Sequence, residues 1–312
     1  MKPFSKILIV MLVTGITCQT TYFSLIKGYR QYNTRFTEMF INNTANNMLF
    51  LGSSRMLYHV NPKIIDSICK TNSYNASIDG ANLFEFKVTL LAYLEKHPTP
   101  DLLVLNLDLT SFGKGYFFNY NQYYPYLKNA AIKKALSENG YYNPIFNFLP
   151  FLLITKFDNL TRGNAVKGLT NKTQAMESTG EQQFKGFKTN GNAFITQSPI
   201  LNNMQRCEIT KTGKECLDKI IATCKEKKIK LIFTYAPEYN FGLQKKISNS
   251  AEILRYIDST ASINNIIFFK HDSLPMCTNP KLFANIGHLN TAGANAYSVI
   301  LGNELNHLIS SK

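Results

Sequence analysis

Two short stretches, at opposite ends of the chain, hold residue types that could do covalent chemistry. The first, Phe50 to Pro62, reads FLGSSRMLYHVNP. An apolar run meets the turn Gly52-Ser53-Ser54 and then a helical pattern. The second, Phe283 to Ala294, reads FANIGHLNTAGA and sets Asn285 and His288 just ahead of the last helical pattern. A serine hydroxyl attacks a carbonyl carbon only when a neighbouring base accepts its proton. His288 is the best candidate base for Ser54. Among the other histidines, His59 lies on the helix after Ser54, His97 precedes a proline, His271 ends a strand and His307 is near the C-terminus. Each residue of the pair also has a structural use, since serine favours helix N-caps and a loop histidine can cap or pack.

The elements around these stretches would have to bring them together. Met48–Leu51, Tyr74–Ser77, Asp101–Leu109, Ile229–Tyr235 and Asn265–Lys270 read as strands, most of them near-continuous apolar runs of the buried kind. Helical patterns run from Ser54 to about Cys69, over Leu83–Lys96, Thr210–Lys227 and Ser248–Ser259, and from Thr291 to Ser310. Strand and helix alternate at βαβ spacing. This predicts a three-layer α/β/α sandwich on a parallel, flavodoxin-like sheet. Sites in open parallel sheets form at the carboxyl ends of strands, where this reading puts Ser54.

Residues from about 113 to 205 interrupt the pattern and read as an insertion. Its start, Tyr116 to Tyr126, has seven aromatics among eleven residues. It is either an irregular loop packed on the core or an aromatic rim for a sugar or acyl chain. Pro144 to Phe157 suggests one more helix. Asn159 to Asn202 is polar and aperiodic.

The chain has 312 residues, 45 % apolar, with a net charge of +14. Basic excess suits nucleic acid, a membrane surface or an anionic polymer. No nucleic-acid motif is present, and the run Lys225, Lys227, Lys228, Lys230 reads as a solvated helix end. Ile7 to Ile26 is free of charge and bounded by Lys6 and Lys27. Roughly 20 such residues cross a bilayer. No clear cleavage site follows, so residues 1–26 read as an uncleaved signal anchor, 27–47 as a polar stalk and 48–312 as the globular domain. The six cysteines form no CxxC pair and no zinc spacing with histidine. A Cys207–Cys216 bridge and buried free thiols are both compatible with that spacing.

With these motifs in hand, the chain resembles the SGNH/GDSL hydrolase family from roughly Met48 to Ser310, outside the insertion. The family's first block matches Gly52-Ser53-Ser54 and implies Ser54 as nucleophile. Its second block matches Asn75-Ala76-Ser77-Ile78-Asp79-Gly80 and implies an oxyanion hole from the Gly80 and Ser54 N–H groups, a term of ~3 kcal/mol per donor. The third block normally supplies an asparagine. Here Asp108 is nearest that place, with Asn106 two residues earlier, and a carboxylate donates only when protonated. The fourth block, normally Asp-x-x-His, reads Asn285-Ile286-Gly287-His288. Asparagine can orient an imidazole but cannot balance the charge of the imidazolium. Asp272 is an alternative source of that charge.

The resemblance is to membrane-anchored members that partner membrane-bound O-acyltransferases. It implies an envelope acyltransferase or esterase working through a serine ester, with no cofactor and no metal. It further implies an acyl-donor membrane protein as partner, an envelope glycan as acceptor, and a single pass through the cytoplasmic membrane with the domain outside. The altered third and fourth blocks suit a second expectation, an inactive or weakly active binding module for a glycan or for the acyltransferase.

Overall fold

Helices α1 (Pro3–Tyr32) and α2 (Thr34–Phe40) open the chain. Strand β1 (Met48–Leu51), helices α3 (Ser54–Leu57) and α4 (Pro62–Cys69), strand β2 (Ser73–Asn75), helix α5 (Leu83–Lys96) and strand β3 (Leu102–Asn106) follow. Next come α6 (Ala130–Glu138), α7 (Asn159–Leu169), the short strands β4 (Gln183–Phe184) and β5 (Phe187–Lys188), and α8 (Lys211–Lys227). The chain continues through β6 (Lys230–Tyr235), α9 (Gly242–Lys246), α10 (Ser250–Ile263), β7 (Ile267–Lys270), β8 (Phe283–Asn285), β9 (His288–Leu289) and α11 (Thr291–Ser310). This computed structural model describes residues 3–113, 115–173, 183–196 and 204–310.

The described residues divide into two units. One covers 3–42 and 119–173; the other covers 43–113, 115–118, 183–196 and 204–310. The expected insertion, 113–205, is therefore shared between them. Residues 119–173 go with the N-terminal helix, while residues 113 and 115–118 and the hairpin β4–β5 belong to the sheet unit. Residues 114, 174–182 and 197–203 of that stretch lie outside the described residues.

In the sheet unit, the strands run in the order β2-β1-β3-β6-β7, all parallel. Counting only these five, the order is 2-1-3-4-5, the flavodoxin-like winding whose switch point lies between β1 and β3. Register pairs Leu51 with Leu105 and Asn106 with Thr234, so the ends of the three central strands are level. Alternate residues feed two cores. Met48, Phe50, Leu102, Val104 and Ile232 pack with Ile65 of α4 and with Tyr297, Leu301 and Leu305 of α11. Leu49, Leu51, Leu103, Leu105 and Phe233 are buried on the opposite face, the side of α5 and α8, which pack on each other. Burial on both faces explains why these strands read as unbroken apolar runs.

Three local outcomes depart from the sequence pattern. The helix expected from Ser54 to Cys69 is two helices, because Pro62 cannot continue one and Asn61 caps the second, accepting from Lys63 N at 3.1 Å. The Pro144–Phe157 region forms two 3-10 turns, Pro144–Asn147 and Pro150–Lys156. All six cysteines are free thiols, so the Cys207–Cys216 bridge is not made.

In the other unit, α1 is a single helix that continues past Ile26 to Tyr32 without a break. It is long and apolar enough to span a membrane. Its side chains from Ile7 to Val13 are largely exposed, while Tyr22, Ile26 and Tyr29 are buried. Its last turns pack on α7 at small residues: a Cβ on Gly168 would lie 1.7 Å from Gly28 O.

Candidate active site

Leu51 ends β1 and the chain turns at once into α3. Gly52 has no room for a side chain, since a Cβ there would lie 2.7 Å from Met56 Cβ and 3.0 Å from Asn106 Cβ. Ser53 is the N-cap of α3, its hydroxyl accepting from Arg55 N at 3.4 Å. Ser54 is the first helical residue, so its N–H has no intrahelical acceptor. Asn75 holds this turn from the side: its Nδ2 donates to Met56 O at 2.9 Å and Val60 O at 3.0 Å.

The second half of the site comes from the β8–β9 hairpin. Asn285 Oδ1 accepts from the backbone N–H groups of Gly287 and His288, both at 3.0 Å. That fixes which end of the amide is oxygen. The same atom lies 3.1 Å from His288 Nδ1, so Nδ1 must carry the proton and Nε2 the free lone pair. Nε2 lies 2.8 Å from Ser54 Oγ. The structure thus brings together Ser54, His288 and Asn285, with Nε2 in the form that accepts a proton. Asn290 secures the hairpin, taking the Gly293 N–H of α11 at 2.9 Å and donating to Lys281 O at 2.7 Å.

Electrostatics keep this imidazole neutral. Burial lowers the His288 pKa below its ordinary 6.5; the Arg55 cation adds to the lowering, and Asp108 and Asp79 work the other way. His59 packs edge-on against His288 at 6.1 Å between ring centres. Its Nε2 accepts from Leu289 N at 3.0 Å. Complete burial, then Arg55 and His288, hold His59 well below 6.5. It is therefore a neutral histidine that anchors β9.

Asp108 is where the structure corrects the sequence reading. Its carboxylate does not donate. Oδ1 accepts from Arg55 Nη1 at 2.6 Å and from Asn106 Nδ2 at 2.9 Å, and Oδ2 accepts from the Ser53 hydroxyl. Arg55 and Asp108 are both buried. Both carboxylate oxygens are taken up as acceptors, so Asp108 has no place as an oxyanion donor. Asn106 is also committed, its Oδ1 accepting from Ala236 N at 2.9 Å. Arg55 was absent from the expected site. Its guanidinium lies 4.5 Å over the Tyr235 ring and donates to the carbonyls of Ala236 and Pro237. Burial opposes its charge, but Asp108, Tyr235 and Glu238 outweigh it and raise its pKa. The available signal was a pair of opposite charges, each just past an apolar strand.

Gly80 adopts a φ of +70°, and a Cβ there would meet the Phe118 ring at 2.9 Å. Both features favour glycine. Phe118 is 71 % exposed, whereas Phe117 is buried against Phe84. Tyr123, Tyr124 and Tyr126, in the other unit, are fully buried. The aromatic stretch is thus mostly core, with Tyr116 and Phe118 exposed and Phe118 beside Gly80. Asp272 does not reach His288: its Oδ2 accepts from Gln244 Nε2 at 2.8 Å and pairs with Lys270 at 3.3 Å. His271 bonds Tyr297 OH at 2.9 Å, and His97 stacks on Tyr93 at 3.9 Å. Among the described residues no cluster of His, Cys, Asp or Glu could hold a metal.

No protein-family profile and no curated protein sequence matches the chain. Several solved structures share part of the chain path. A protein assigned to the G-D-S-L family from Desulfitobacterium hafniense has 8 % identity and a TM-score of 0.39, over 84 % of this chain and 99 % of its own. A GDSL-like lipase from Bacteroides thetaiotaomicron has 13 % identity and a TM-score of 0.38, over 84 % and 88 %. An active-site mutant of a family two carbohydrate esterase from Clostridium thermocellum has 11 % identity and a TM-score of 0.35, over 85 % and 64 %. At these values the roles of individual residues rest on this chain's own geometry.

Proposed function

We propose that this chain is a membrane-anchored serine acyl-transfer enzyme of SGNH type, acting on O-acyl groups of cell-envelope glycans. The observation that carries the reading is the line Ser54 Oγ, His288 Nε2, His288 Nδ1, Asn285 Oδ1, with contacts of 2.8 and 3.1 Å. In the first step Ser54 Oγ bonds to the acyl carbon and its proton passes to His288 Nε2. The imidazolium then protonates the departing alkoxide as the acyl–oxygen bond breaks. An acceptor hydroxyl, from a glycan or water, next gives its proton to Nε2 and attacks the Ser54 ester; collapse returns the proton to Ser54. The Ser54 and Gly80 N–H groups are the oxyanion donors in this reading, since neither has an acceptor among the described residues.

The bilayer-length α1 supports a single-pass anchor; in this reading the membrane is the cytoplasmic one and the catalytic unit lies outside it. The net charge of +14 suits an anionic polymer. An acyl-donor membrane protein of the O-acyltransferase type is the partner that an anchor of this kind would serve.

A second reading is a binding module of low or no activity. Two observations favour it: Asn285 brings no charge to the imidazolium, and the Asp108 carboxylate is committed to Arg55. Treating the solubilised full chain with a serine-directed fluorophosphonate separates the two. The enzyme reading expects label on Ser54, lost in Ser54→Ala and His288→Ala. Absence of label on the folded protein at every pH would leave the binding module. With an aryl acetate as donor, acetyl transfer to an oligosaccharide in excess of hydrolysis marks a transferase.

A further inference from the structure

A cavity of about 390 Å³ lies in the unit formed by α1 and residues 119–173. From α1 it takes Tyr22, Phe23, Ile26 and Arg30. Tyr22, Ile26 and Arg30 are four residues apart and share one helix face. At 1.5 Å per residue, the stripe runs about 12 Å from its apolar end to the guanidinium. Lys128 and Lys133 also line the cavity, and no acidic residue does. Arg30 is held in place by its Nε bond to Pro125 O at 2.9 Å. Lys133 donates to Asn147 at 2.6 Å. The remaining walls are apolar or aromatic, including Leu153 and Phe146. The volume is that of an ordinary small-molecule site.

The position along α1 indicates what fills it. The charge-free stretch ends at Ile26, so Arg30 falls about one turn beyond, at headgroup level if α1 spans. Apolar side chains here stay exposed: Phe23, in the cavity wall, is 57 % exposed, and Phe148, next in the chain to the lining residue Asn147, is 81 % exposed. A soluble surface rarely keeps such residues together unless they meet lipid or protein. We infer that the cavity is a lipid site that takes one anionic phospholipid-like amphiphile from the bilayer. Its phosphate lies among Arg30, Lys128 and Lys133, and a chain lies along Tyr22, Phe23 and Ile26. The inference rests on α1 lying in a bilayer, as proposed above, and does not depend on chemistry at Ser54.

The chain contains no tryptophan, so Phe23→Trp in the full chain gives a single donor in the cavity wall. The protein is reconstituted in phosphatidylcholine nanodiscs with a trace of dansyl-labelled phosphatidylglycerol or, separately, dansyl-labelled phosphatidylcholine. Energy transfer to the glycerol lipid should be several-fold greater, should saturate, and should be competed by unlabelled phosphatidylglycerol but not by glycerol phosphate. Adding Lys128→Glu and Lys133→Glu should weaken it on the order of tenfold. Equal transfer to both lipids overturns the site, as does an unchanged signal in the folded charge-reversal variant. Competition by glycerol phosphate alone would leave a phosphate site with no lipid role. Should the reversal variant fail to fold, competition on the Phe23→Trp protein still decides. A chain that does not enter nanodiscs at all removes the anchor reading together with this one, while labelling at Ser54 would be unaffected.

Discussion

Asn285→Asp tests the proposed chemistry most directly. Asn285 Oδ1 lies 3.1 Å from His288 Nδ1 and accepts from two backbone N–H groups as well. A carboxylate oxygen can keep all three bonds, so the geometry should survive and only charge is added. At 3.1 Å a full charge attracts the imidazolium by about 1.3 kcal/mol at a dielectric of about 80 and about 5 kcal/mol at about 20. His288 is partly exposed, so solvent discounts the larger figure, and about 2 kcal/mol is a fair middle value. If the imidazolium is formed in the transition state, this corresponds to roughly thirtyfold in rate. The assay is kcat/KM for an aryl acetate across pH. The base acts deprotonated, so activity rises as pH passes the His288 pKa. In the wild type that pKa is lowered by burial and Arg55, which puts the acid limb below about pH 6.5. The added carboxylate should move the limb to higher pH and raise the plateau above it. A limb that stays in place would refute the contact between residue 285 and the ring. A limb that moves without any gain in the plateau would refute Asn285 as the element that limits the proton transfer.

Other outcomes follow from the surrounding structure. Asp108→Asn leaves the buried Arg55 cation unbalanced and should cost about 3–5 kcal/mol in urea unfolding; the double variant Arg55→Met/Asp108→Leu should recover most of it, and equal losses would contradict a paired role. His59 and His288 both have lowered values in the folded chain, so the unfolded chain binds protons more readily in acid. The melting temperature should fall from about pH 7 to about pH 5, and His59→Gln should shrink that fall; an identical slope would clear His59. Gly52→Ala forces a Cβ to 2.7 Å from Met56 Cβ. It should destabilise the chain by about 1–3 kcal/mol and slow fluorophosphonate labelling at Ser54; wild-type labelling would show that the turn tolerates the shift.

Much of the framework was legible because it is written locally. Met48–Leu51, Leu102–Asn106 and Lys230–Tyr235 are short, largely apolar runs whose length fits buried strands. The helical patterns between them leave few choices besides a parallel sheet. Pro62 as the start of α4 is a single-residue signal, although the apolar pattern across it reads as one long helix. The β8–β9 hairpin was not legible, since strands of three and two residues show no period.

The site divides along the same line. Residue types and their place on strand ends are properties of the sequence, and they nominate a serine, a histidine and an asparagine. Which atoms meet is not. The 2.8 Å contact from Ser54 to His288 spans 234 residues of chain, and it exists because the switch point of the sheet opens beside a hairpin that Asn285 and Asn290 hold in place. Arg55 and Asp108 are 53 residues apart, and only burial turned two ordinary charges into one ion pair. That burial decided Asp108's part as an acceptor. Local pattern follows from side-chain type and backbone period, whereas protonation, partner and orientation follow from what the folded chain removes from water.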